Sequence, residues 1–134
     1  MNAVGAIRQI IINALGEGDF AVYPVILPQQ KPYPAVTLRI SDTKTNDTKT
    51  TISPIDNVIV TASIFAKTYN EAQDIETQIR QAIDGFTGIV VTTLDSVSHR
   101  FDEIRFLGRK DDFDEESVLF VRLADYDVRY YWQS

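Results

Sequence analysis

Few residues in this chain could do chemistry, and their spacing decides what kind. His99 is the one histidine among 134 residues. A lone imidazole can act as a general base, but no cysteine, serine elbow or second metal ligand stands at a recognisable distance from it, so it reads as an ordinary strand residue. Asp111, Asp112, Asp114, Glu115 and Glu116 crowd into six positions. Such a run could bind a divalent cation, yet it lacks the central glycine and spaced glutamate of a calcium loop. It reads instead as a solvated acidic turn or, in a ring-forming protein, as a lumen-facing or partner-docking surface. Lys44 and Lys49, with Lys31, could touch phosphates, but Asp42 and Asp47 flank them. The glycines form neither a P-loop nor a dinucleotide fingerprint. The absence of cysteine excludes disulfide and thiolate chemistry and permits a virion or a cytosolic product. Tyr126, Tyr130, Tyr131 and Trp132 read mainly as half-buried sheet residues, with Tyr130, Tyr131 and Trp132 as candidates for a protein contact. No catalytic, cofactor-binding or metal-ligating set emerges, so the chain reads as a protein that works by its surfaces and not as an enzyme.

The elements that would carry those surfaces are legible in the periodicities. The start, MNAVGAIRQIIINALG, suits a helix, with Val4, Ile7, Ile11, Ala14 and Leu15 on one face, Asn2 as a possible cap and Gly16 as the stop. Asp19 to Tyr23 is a short extended piece, and the proline-rich stretch to Pro34 is a loop. Ala35 to Ser41 alternates Val36, Leu38 and Ile40 against Thr37 and Arg39, a half-buried strand. Asn57 to Phe65 alternates with both faces apolar, so each face expects some cover. At Thr68 the period changes to helical. Thr68 and Glu71 stand in the capping-box relation, and Ala72, Ile75, Ile79, Ala82, Ile83 and Phe86 share a face. Glu71, Asp74, Glu76, Arg80 and Gln81 fall mostly on the other, with Glu76 and Arg80 an i,i+4 pair and Gly85 the terminator. Ile89–Leu94 and Ser96–Leu107 read as strands, the second with a bulge near Asp102. Gly108–Glu116 reads as a charged turn, and Ser117–Trp132 as a long final strand.

This order, α-β-β-α-β-β-β, predicts an α+β fold: a single domain over residues 1–134 with two helices packed on one face of a mostly antiparallel sheet. Asp42–Ser53, polar and Thr-rich, is either a long β-hairpin arm or a solvated loop. If it is an arm, Lys44, Thr45, Asn46, Asp47, Thr48 and Lys49 are its inter-subunit contact candidates.

Composition narrows the partners. The net charge of −6 speaks against wrapping nucleic acid, which needs clustered Lys and Arg. It is compatible with a wall past which DNA slides without sticking. No apolar run approaches a membrane span, and the single basic residue Arg8 sits inside the first apolar stretch rather than before it, unlike a signal peptide.

Four segments together resemble a known family. NVIVTASIFAKTYNEAQDIETQIRQAIDG, MNAVGAIRQIIINALG, VYPVILPQQKPYPAVTLRI and RFLGRKDDFDEESVLFVRLADYDVRYYW are similar to the tail completion or tail terminator (head–tail joining) proteins of long-tailed bacteriophages and prophages. The resemblance rests on size and polarity patterns over most of the chain. It implies a structural virion protein that completes the tail tube or joins it to the head, acting as a homo-oligomeric, typically hexameric, ring. It further implies the tail tube and head–tail connector proteins as partners, and a place in the tail or neck after assembly in the host cytoplasm. The residues and composition point to no cofactor, no sequence-specific nucleic-acid binding and no membrane. The alternative from the residues alone is a cytosolic α+β module that binds a small ligand or a protein.

Overall fold

A computed structural model describes residues 3–16, 20–24, 34–44, 55–92, 96–115 and 118–131, with the backbone alone at 24, 44, 55 and 114. The elements are α1 (Ala3–Leu15), β1 (Ala21–Pro24), β2 (Ala35–Lys44), β3 (Ile55–Ala66), α2 (Tyr69–Ile83), β4 (Gly88–Val91), β5 (Ser98–Asp114) and β6 (Leu119–Tyr131). The fold is α+β. Three strands precede α2 rather than two, because the short extended piece near Tyr23 joins the sheet as β1.

The sheet runs β1-β2-β3-β6-β5-β4. β1 lies parallel to β2 and every other pair is antiparallel, so the sheet is mixed. β3 and β6 are central and paired along their length, from Ile55 opposite Tyr131 to Ala66 opposite Phe120. Val58, Val60, Ala62 and Ile64 of β3 and Ala124, Tyr126 and Val128 of β6 point to one face, where they are almost fully buried with Ile7, Ile11, Ile75, Ile79 and Ile83 of the helices. The helices touch each other as well as the sheet, and α1 reaches both outer strands, β1 and β4. The opposite face carries no helix among the described residues.

Three local devices set the element ends. The Thr68 hydroxyl accepts from the Glu71 N–H at 3.1 Å, and the Glu71 carboxylate accepts in return from the Lys67 N–H at 3.3 Å. The box is therefore shifted by one residue on its return arm. Gly85, with φ +81°, turns the chain out of α2 in the left-handed region, and its N–H donates to the Ile104 carbonyl at 2.7 Å. Gly16 (φ +77°) ends α1 in the same way, its N–H reaching the Ile12 carbonyl at 2.8 Å.

Other expectations give way. Ala14 and Leu15 are exposed, and the buried face of α1 is instead Ala3, Val4, Ala6, Ile7, Gln9, Ile10 and Ile11. Ile40 is exposed although it stays in phase with Val36 and Leu38 opposite buried Val60, and the β2–β3 register shifts just beyond it, between Ile40 and Asp42. The charged stretch from Gly108 is not a turn: β5 continues through it to Asp114, paired with β6. Asp42, Thr43 and Lys44 extend β2 against β3, while residues 45–53 of the anticipated arm lie outside the described residues.

Candidate functional site

Two register shifts in β5 decide which side chains it offers to the helices. One falls between Phe101 and Glu103, at the bulge expected near Asp102, and the second between Phe106 and Gly108. Each extra residue moves everything after it to the other face of the strand. Without the second, Gly108, Lys110 and Asp112 would follow Phe106 inward. With it, Arg109, Asp111 and Phe113 do so, opposite Ala124, Arg122 and Phe120.

The result is a charged cluster where the distal β5–β6 hairpin meets α2. Arg122 is 2% exposed. Its Nε and Nη2 donate to the two oxygens of the half-exposed Asp111 carboxylate, at 2.5 and 3.1 Å, a bidentate geometry that fixes the guanidinium plane. Its Cζ lies 5.2 Å from the centre of the Tyr69 ring, in the first turn of α2. Hydrogen bonding to Asp111 holds the Arg122 pKa above its ordinary value, and burial opposes this. Glu76, in the middle of α2, is 1% exposed and accepts from Nη1 of the half-exposed Arg109 at 3.4 Å. Each pair thus joins one buried charge to one half-solvated partner, and both half-solvated partners belong to β5. Tyr126 lies beneath the helix in edge contact with Phe106, and burial pushes its hydroxyl pKa well up. Tyr69, Phe120 and Phe113 form an aromatic chain beyond the cluster, with centroid separations of 6.4 and 5.0 Å. At the hairpin tip, exposed Val118 holds φ +56°, a left-handed conformation rare for a β-branched residue.

The candidates read from sequence are distributed differently from one another. Asp111 is engaged by Arg122, whereas Asp112 and Glu115 are exposed beside the half-exposed Phe113. Asp114 ends β5, and Glu116 lies outside the described residues. Tyr130 is buried in the core, Tyr131 is half-buried with the Arg100 guanidinium over its ring at 4.4 Å, and Trp132 is outside the described residues. Lys44 is the last residue of β2, while Thr45, Asn46, Asp47, Thr48 and Lys49 are not among the described residues. His99 is buried in β5. Among the described residues no three His, Cys, Asp or Glu side chains gather as metal ligands.

Arg80 pairs with Asp84 at 3.7 Å and covers the Phe106 ring at 4.0 Å, instead of pairing with Glu76. The inward turn of Glu76 had a signal: residues 72, 75, 76, 79 and 83 are spaced as one helical face, which sorting by polarity conceals. The inward parity of Arg122, in phase with Ala124 and Tyr126, was equally available.

The outer surfaces are of two kinds. On the helix-free face, a shallow groove of about 480 Å³ runs across β2, β3, β6 and β5, lined in part by Arg39, Thr61, Leu107, Lys110 and Asp125. Thr61 donates to Asp125 there at 2.6 Å. At one sheet edge, β4 has no charged residue, and Ile89, Val91 and nearby Val97 are 65%, 49% and 44% exposed.

The model of the family described as Tail completion protein gp17 matches residues 9–131. The fold is similar to that of a chain in the virion of a native gene transfer agent particle, with a TM-score of 0.69 and 18% sequence identity over 98% of this chain and 99% of that one. No curated protein matches the chain.

Proposed function

We propose, from the premise that this chain belongs to the tail completion protein gp17 family of structural, non-enzymatic bacteriophage proteins, that it closes the tail tube as a homo-oligomeric ring. In this reading it is a virion tail protein associated with other phage structural proteins. The finer role is to cap the tube on one ring face and meet the head connector on the other, after assembly in the host cytoplasm. A hexamer is the ring size that the family resemblance suggests, each 134-residue chain serving as one folded unit.

The observation that carries the ring is β4, an edge strand with no further strand beside it among the described residues. Isolated proteins blunt sheet edges with charge, proline or bulges, because an open ladder of N–H and C=O groups recruits another chain. β4 has none of these over Gly88–Val91 and adds exposed Ile89 and Val91. An edge used once per subunit against a different surface of the next copy gives head-to-tail association, which closes into a ring when the rotation divides a full turn. The acidic tip at Asp112, Asp114, Glu115 and Glu116 and the aromatic end at Tyr131 and Trp132 remain the surfaces proposed for partner proteins, with residues 44–49 as a further inter-subunit contact. The test is Ile89→Lys. The variant should keep the far-ultraviolet circular dichroism of the parent and lose the ring, whereas a variant that still forms rings would remove β4 from the interface.

A further inference from the structure

The two ion pairs between β5 and its neighbours have an alternative pairing that leaves no charge alone. Arg109 and Asp111 are two residues apart on the same strand face, opposite Ala124 and Arg122, so their backbones are separated by about 7 Å and their side chains can meet. Glu76 lies on α2 and Arg122 on β6, the strand beside β5, and each pairs with a residue of β5. Tyr69, which Arg122 touches, is seven residues before Glu76, two turns or about 10 Å up one face of α2. The Arg122 guanidinium, which now lies against Tyr69, reaches Glu76 only by swinging along that face. Nη1 of Arg122 and the Tyr126 hydroxyl are both buried without a well-formed hydrogen bond, and Tyr69 is the side chain beside Asp111 that interacts with the guanidinium.

We propose that these four residues form a partner-exchange latch. In the closed form Arg109 holds Glu76 and Asp111 holds Arg122. In the open form Glu76 takes Arg122 between α2 and β6, and Arg109 takes Asp111 on β5 itself. The exchange matters because lifting β5 would otherwise strand a carboxylate and a guanidinium in the protein interior, which is strongly unfavourable. With it, Leu107–Asp114 can separate from the helix layer with its charges matched. That segment is suited to moving alone. It begins at a bulge, its strand partner among the described residues is β6, and the last contacts from the α2–β4 connection end at Phe106, whose N–H donates to Asp84 at 2.9 Å. The latch rests on the fold; the ring reading supplies its use, which is to let the acidic tip change its angle as it docks.

The experiment is a double-mutant cycle with Arg109→Gln and Asp111→Asn, read by urea unfolding. Each single variant removes the present partner of one buried charge. The double variant strands both, and under the proposal they pair with each other, so its loss of stability should be clearly smaller than the sum of the two single losses. Additive losses would overturn the latch. If a single variant does not fold, hydrogen exchange on the unaltered protein decides. Amides of Leu107–Asp114 that donate to β6 should exchange at least about ten-fold faster than the amides of Phe101–Phe106 that do so. Equal protection across β5 would show that the segment opens only when the whole molecule does. Neither readout requires a ring, so failure of the latch and failure of the ring are separate results.

Discussion

At the scale of single residues, the buried charges are the least tolerant positions. Asp111→Asn removes the anion that now holds the buried Arg122 guanidinium, and because Asp111 is half-exposed the cost should be about 2 kcal/mol rather than the 3–5 typical of a fully buried pair. Arg122→Met removes the buried charge itself and leaves a carboxylate that water can reach, so it should cost less than Asp111→Asn. Urea midpoints for the two variants test the ranking. Alkali tests the tyrosines. Burial raises the pKa of both Tyr126 and Tyr130 above the ordinary value of 10.0, so the unfolded chain releases these protons at a lower pH than the folded one. Their stabilising contribution is full below pH 10.0 and is lost as pH rises beyond it. Tyr126→Phe should flatten that decline in a series of unfolding curves between pH 8 and 11, and an unchanged slope would show that Tyr126 does not contribute to it.

At the scale of elements, local rules account for the ends and non-local contacts for the middle. Thr68→Ala removes the acceptor of the Glu71 N–H and should cost about 1 kcal/mol. Gly85→Ala should cost about 1–2 kcal/mol through its left-handed backbone alone, since a Cβ there meets nothing within 4 Å. Thermal unfolding of the two variants checks both values. α2 was legible with its cap and stop because each depends on neighbours three to five residues away. The bulge at Asp102 was legible because an alternating pattern lost its phase there. β5 beyond Leu107 was not, because GRKDDFD has the composition of a turn and becomes strand only against β6. The charged cluster was missed for the same reason. Asp111 and Arg122 are opposite each other only once the hairpin register is set, and the Leu107 bulge that selects their face has no local mark in the sequence. β1 joins through a parallel pairing across the proline-rich loop, a contact that periodicity does not encode.

At the scale of the whole molecule, membership of the tail completion family makes the chain a structural phage protein, and the proposal is that it works as a ring closed through the β4 edge. In that proposal geometry and edge pairing do the work and no catalytic constellation is needed. The direct test is the solution mass of the purified protein by light scattering over a wide concentration range. The account predicts a discrete species at a multiple of the 15.2 kDa subunit, near six-fold, growing from smaller species as concentration rises and abolished by Ile89→Lys. A strict monomer at every concentration, or a compact dimer indifferent to Ile89→Lys, would contradict it.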